Sequence, residues 1–360
     1  MLHPRPEIRA LHPCPHGGPN FAEALSLGIP PESILDFSVS ANPFGPAPAV
    51  RSAAAVAPID RYPDSACIEL RGTIARALGL APENLFIGSG SMEIIRLLAL
   101  AYISPGDRVL IPEPTFGEYE VAAKIMGARI IRCRAGEGTG FRFEVNDLLA
   151  RIQEHHPRIV FLSNPNNPTG QYWRRDEVES ILRADADALL ALDEAYIAFT
   201  EDRWNAIDLL SYRNLLIIRS LTKDHALAGL RIGYAVGSPE LIETLRKVSP
   251  PWNVNAPAQY AAAAAIQEQA YVERCREQVL AARDYLVKAL LQRGFRVLPT
   301  EAHFFLVKVG NAAVFREDLL RRGIAVRDCT SFGLPEYIRI APRTMPECRK
   351  LIEAIDSPGK

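Results

Sequence analysis

Two residues stand where an α/β sheet would present them for chemistry. Asp193 closes the apolar run Leu189–Leu192, and thirty residues later Lys223 follows a second run, Leu215–Ile218. In open α/β sheets ligands gather at the carboxyl ends of the strands, so both fall where a ligand would sit. Either alone would read as an ordinary loop or capping residue. Their surroundings give them weight. Ser220, Thr222 and Arg231 supply two hydroxyls and a guanidinium fork, a set suited to a phosphate group. Gly88-Ser89-Gly90-Ser91 lies between an apolar strand and a helix, where backbone N–H groups and the helix start make a second anion cradle. Between these elements runs the turn-dense octapeptide Ser163–Gly170, SNPNNPTG.

The elements that must position these residues follow from hydrophobic periodicity. Helical patterns at Cys67–Leu78, Met92–Ile103, Tyr119–Met126 and Arg174–Arg183 alternate with short apolar runs. The runs are Leu85–Ile87, Arg108–Ile111, Arg129–Arg132, Ile159–Leu162, Ala188–Leu192, Leu215–Ile218 and Ile232–Val236. That alternation predicts an α/β fold whose mostly parallel sheet is covered on both faces. A long helical region from Ala258 to Arg293 comes next. Strand-like runs at Phe295–Leu298, Phe304–Val307, Ala325–Arg327 and Tyr337–Ile340 follow, with helices at Ala312–Arg322 and Pro346–Ile355. The expected organisation is an N-terminal arm with part of a small domain (1–45), a large domain (46–255) and a small α+β C-terminal domain (256–360).

Bulk composition narrows the function classes. A formal net charge of −1 gives no global argument for nucleic acid or an acidic membrane surface. No apolar stretch is long enough to span a bilayer, and the N-terminus has no apolar run after a basic region. Six scattered cysteines without a C-x-x-C pair read as free thiols of a reducing compartment, so the expected location is cytoplasmic. His12, Cys14 and His16 lie close in sequence, but interleaved prolines and the lack of a fourth nearby ligand favour a flexible arm, and no metal is expected. No G-x-G-x-x-G follows an early strand, which argues against a nicotinamide-dependent dehydrogenase.

Taken in order, the motifs resemble the fold-type I aminotransferases over essentially the whole chain. They are the Gly-Ser-Gly-Ser turn, Asn164–Gly170, Asp193-Glu194-Ala195-Tyr196, Ser220-Leu221-Thr222-Lys223, Gly229–Tyr234 and Tyr337-Ile338-Arg339. The resemblance implies pyridoxal 5'-phosphate as cofactor, carried by Lys223 as a Schiff base, with Lys223 also shuttling protons. It implies that Asp193 pairs with the pyridine nitrogen, that Tyr196 and Asn167 bond the ring oxygen, and that Phe116 stacks on the ring. Gly90, Ser91 with the adjoining Met92, Ser220, Thr222 and Arg231 would hold the cofactor phosphate. Tyr62 would reach the phosphate site of the neighbouring subunit of a homodimer. Arg339 would clamp a substrate carboxylate.

Two subfamilies with phosphorylated substrates compete. Arg327 matches the second anion site of both, and Asn42-Pro43-Phe44-Gly45-Pro46 leans to histidinol-phosphate aminotransferase. His16-Gly17-Gly18, Pro251–Asn255 and Arg339-Ile340-Ala341-Pro342-Arg343 lean to the L-threonine O-3-phosphate decarboxylase of cobalamin synthesis. Asp224-His225 and Pro19 depart from that pattern. The expectation is decarboxylation of L-threonine O-3-phosphate, with His16, Asn42, Arg327, Arg339 and Arg343 around the substrate. The alternative is a histidinol-phosphate or related aminotransferase using 2-oxoglutarate and glutamate. A more distant alternative is a cofactor-binding sensor without turnover, for which no basic DNA-binding segment is evident.

Overall fold

The computed structural model describes residues 2–9 and 11–357; Met1, Ala10 and residues 358–360, at the margins of the expected arm and C-terminal domain, lie outside them. Strand β1 (Leu35–Asp36) is followed by the strands of a central sheet: β2 (Leu85–Gly88), β3 (Arg108–Glu113), β4 (Arg129–Arg134), β5 (Ile159–Ser163), β6 (Leu189–Asp193), β7 (Leu215–Ser220) and β8 (Gly233–Gly237). Their spatial order is β2-β8-β7-β6-β5-β3-β4, and β8 alone runs antiparallel to its neighbours. The carboxyl ends of β2, β3, β5, β6 and β7 therefore share one edge with the amino end of β8.

The period-two rule shows in the core. Leu190, Leu192, Leu215 and Ile217 pack on one face, and Leu189, Ala191, Leu216 and Ile218 on the other. Both faces are covered, so β5 and β6 are buried at every position and read in sequence as unbroken apolar runs.

Strands β9 (Arg296–Val297), β10 (Phe305–Lys308), β11 (Ile324–Ala325), β12 (Arg327–Asp328) and β13 (Tyr337–Ile340) complete the set. A second sheet runs β12-β13-β10-β9, with a core around Phe37, Leu286, Phe305, Ile338 and Leu351. The N-terminal segment belongs to this unit in space, because β1 pairs in parallel with β11, Leu35 opposite Ile324.

The structure departs from the periodicity reading at five places. The helical region expected from Ala258 to Arg293 is two helices, Ala256–Gln267 and Gln269–Gln292, broken at Glu268 with φ −96 and ψ 35. The alanine-rich piece packs on helix Pro48–Ala55, and the longer piece on helix Met345–Asp356. The strand expected at Ala325–Arg327 is interrupted at Val326, with β11 pairing with β1 and β12 with β13. Helix Pro48–Ala55 arises inside the proline-punctuated stretch, because proline at the first helical position leaves no bond unmade. Helices Val145–His155 and Pro239–Val248 are additional; the second starts on Ser238, whose side chain caps Leu241 N–H.

Candidate active site

The carboxyl edge of the central sheet opens into a cavity of about 320 Å³. Strand β6 delivers Asp193, and the turn after β7 delivers Ser220, Thr222 and Lys223. Ser91 and Met92 come from the helix after β2, and Phe116 and Tyr119 from the segment after β3. Asn167 comes from the octapeptide turn, Arg231 precedes β8, and Arg327 and Arg339 reach in from β12 and β13.

Asp193 is buried, and burial raises its pKa from 3.8 to about 6, against the stabilising pull of two hydrogen bonds. Tyr119 donates its hydroxyl to Asp193 Oδ2 at 2.8 Å, and Ala195 N–H donates to Oδ1 at 3.0 Å. A carboxylate held this way, with no cation at hydrogen-bond distance among the described residues, is ready for a proton-bearing ring nitrogen. Lys223 Nζ stands 5.5 Å from the centre of the Tyr196 ring.

Anion-binding groups ring the cavity. Ser220 Oγ and Thr222 Oγ1 lie 2.7 Å apart, bonded to each other. The helix from Ser91 begins on Gly90, which offers no side-chain cap and leaves the first N–H groups free for an anion. Gly90 has φ +79, and a Cβ there would lie 2.8 Å from Arg231 Nη2, so the guanidinium rests directly on the turn. These donors fit the phosphate of the expected cofactor, Asp193 fits its ring nitrogen, and Lys223 fits its aldehyde.

The two remaining arginines form a second positive region. Arg339 is buried; it donates to Ser38 O at 2.7 Å and to Asn167 Oδ1, sits 5.1 Å from the Phe304 ring centre, and keeps Nε without a partner. Arg327 donates through Nη2 to Pro15 O and to Ser331 Oγ, both at 2.7 Å. Burial and the nearby Arg339 pull Arg327 below the ordinary guanidinium value, the mark of a site short of negative charge. Behind Tyr196 lies His303, fully buried with its ring packed against Tyr196, Phe199 and Phe304. Burial, Arg339 and Lys223 hold it neutral.

The N-terminal arm forms the cavity mouth. Cys14, Pro15, His16 and Gly17 line it, and His16 Nε2 is 3.0 Å from Glu118 Oε1. Three expected site residues lie elsewhere. Asn42 is buried beside the lysine and donates its N–H to Lys223 O and its Nδ2 to Asp224 O, at 2.8 and 2.9 Å. Arg343 bonds Asp36 O and Glu347 at the start of the last helix. Tyr62 is largely exposed and stacked on Trp252, with ring centres 4.3 Å apart. Sequence reasoning missed Tyr119, Glu118 and Ser38. Tyr119 was within reach, since it falls three positions after Phe116, where a helix start brings two side chains to one side.

The aminotransferase class I and II family matches residues 32–355. A histidinol-phosphate aminotransferase of Moorella thermoacetica is 36% identical over 98% of this chain and 92% of its own length. One from Symbiobacterium thermophilum is 34% identical over 98% and 97%. The crystal structure of the Sinorhizobium meliloti histidinol-phosphate aminotransferase, in complex with pyridoxal-5'-phosphate, superposes with a TM-score of 0.86 at 26% identity, covering 97% of this chain and 95% of that one. These likenesses overturn the expectation of L-threonine O-3-phosphate decarboxylation. Of the residues that leaned to it, Arg343 lies outside the cavity lining, bonded to Asp36 O and Glu347, while His16 remains in the lining, 3.0 Å from Glu118. With the family spanning nearly all of the sequence, the chain belongs to the class I and II aminotransferases, pyridoxal-phosphate enzymes of fold type I.

Proposed function

We propose that this enzyme transfers an amino group from a phosphorylated primary amine, histidinol phosphate, to 2-oxoglutarate, giving glutamate. The observation that carries the reading is the convergence of Arg327 and Arg339 on the cavity that holds Lys223 and Asp193. One cation suits the phosphate monoester of the amine and the other a carboxylate of the keto acid, so one cavity serves both halves of a two-step exchange. The names borne by relatives that align over nearly the full chain support it.

Bound pyridoxal phosphate supplies an electron sink for the carbon bearing the amino group. Lys223 Nζ would hold the cofactor and would be the base that takes and returns the proton at that carbon. Asp193 would keep a proton on the ring nitrogen, with Tyr119 keeping Asp193 in place. Tyr196 and Asn167 would serve the ring oxygen and Phe116 the ring face. Gly90, Ser91, Ser220, Thr222 and Arg231 would hold the phosphate. Asn42 acts on the backbone that carries Lys223, fixing its reach. The exposed Tyr62 of each protomer extends toward the phosphate site of its partner in a homodimer.

Incubating the holoenzyme with histidinol phosphate and 2-oxoglutarate tests the reading. Glutamate formed in proportion to amine consumed is the expected result. No glutamate from histidinol phosphate, with ready exchange of an unphosphorylated amino acid, would refute it.

A further inference from the structure

The arm carries a feature that the transamination chemistry does not use. Cys14 Sγ, His16 Nε2 and a carboxylate oxygen of Glu118 all lie within 4.8 Å of one another. Two come from the arm segment Cys14-Pro15-His16, and the third from the start of helix Glu118–Ile125. We propose that these three side chains form a site for a zinc-like divalent ion, which latches the arm across the mouth of the active-site cavity.

The ligand set is the argument for the ion class. Thiolate, imidazole and carboxylate together match borderline-soft ions such as zinc, whereas magnesium and calcium take oxygen ligands. Metal–ligand bonds of about 2.0–2.3 Å in a tetrahedron put ligand atoms roughly 3.3–3.8 Å apart. The His16–Glu118 pair at 3.0 Å is a little too close, and the other separations are bounded by 4.8 Å. Small side-chain rotations bring the three ligand atoms to tetrahedral spacing. The ion would replace the hydrogen bond between His16 Nε2 and Glu118, the imidazole proton moving to Nδ1, and the Cys14 thiol would release its proton to solvent. Ion, thiolate and carboxylate then sum to zero charge, and the fourth position stays open to water.

Two independent features support a built site. Glu118 is buried, with Arg96 Nη2 on its other oxygen at 2.5 Å, so the carboxylate is oriented by a partner that leaves Oε1 for the ion. Cys14 lies directly over Gly117, where a Cβ would come within 2.7 Å of Sγ. The missing side chain at Gly117 leaves the thiol room beside Glu118. His12, also on the arm, is exposed and outside the group.

The inference rests on this geometry and not on the assignment of substrate, so its test needs no turnover. Cobalt(II) titrated into holoenzyme reports tetrahedral coordination through visible bands to the red of the cofactor's absorption, and zinc should displace it. Wild-type protein and His12→Gln are expected to bind one equivalent alike. Cys14→Ser and His16→Gln should each weaken binding by about 100-fold or more, since even outer-shell changes cost 10–100-fold, and Gly117→Ala, which only nudges the thiol, by less. Unchanged cofactor absorbance in each variant shows that the fold persists. Zinc should also slow turnover of the wild type but not of Cys14→Ser. A cobalt spectrum of octahedral form, or titrations indifferent to these substitutions, would overturn the proposal.

Discussion

Asp193→Asn should make the cofactor-free protein more stable while crippling the loaded enzyme. Burial moves the Asp193 pKa from 3.8 to about 6. At roughly 1.4 kcal/mol per unit, the ionised carboxylate therefore costs the folded apoprotein about 3 kcal/mol at pH 7. The sign follows from the direction of the shift. Between the two values the folded state binds the extra proton, so stability falls as pH rises from 3.8 toward 6 and is level above. Asparagine keeps the shape and the acceptor for Ala195 N–H, and the Tyr119 hydroxyl can turn to accept instead of donate. Allowing for the amide's own burial, urea unfolding of the apo variant at pH 7.5 should show a gain of about 1–3 kcal/mol over apo wild type. That gain should be smaller by about 1.4 kcal/mol at pH 5. The loaded enzyme should lose about 10²–10⁴-fold in kcat, because breaking a buried ion pair with the ring nitrogen costs about 3–5 kcal/mol. An apo variant less stable than wild type at pH 7.5, or a gain indifferent to pH, would refute the assignment of Asp193 as a strained, waiting anion.

Lys223→Ala should bind pyridoxal phosphate without forming an adduct that borohydride can trap, a point that mass spectrometry of the reduced protein decides. Gly90→Ala puts a methyl group 2.8 Å from the Arg231 guanidinium on a residue at φ +79; strain of about 1–3 kcal/mol should weaken cofactor binding roughly 10–100-fold by equilibrium dialysis. Arg327→Gln should raise KM for histidinol phosphate by about 10–100-fold, through loss of a charge-assisted contact, and leave cofactor affinity unchanged in the same dialysis.

Which parts of this architecture could be read from sequence follows from the range of the forces involved. The runs that became β5, β6 and β7 were legible because burial on both faces demands unbroken apolar residues. Asp193 and Lys223 were legible because a strand end fixes position without tertiary knowledge. Arg343 was misplaced because two arginines four positions apart look alike on paper, while only Arg339 sits in a strand that points at the cavity. The break at Glu268 was hidden because helix propensity runs straight through it, and only the need to pack on two different units ends the first helix there. Glu118 meets His16 across roughly a hundred residues of chain, a distance no local pattern spans.

The parallel pairing of β1 with β11 also sets an order of events during synthesis. Residues 35–36 leave the ribosome early, yet their partners at 324–325 are made some 290 residues later. At about 5–20 residues per second that is a wait of roughly 15–60 s. Until then Phe37 has no core to enter, and the arm that follows it in space cannot be placed over the active-site mouth. The central sheet, whose strands lie between residues 85 and 237, can assemble meanwhile. A nascent chain stalled before residue 324 would thus carry a formed cofactor edge beside a loose, sticky N-terminal strand, the species on which chaperones would be expected to act.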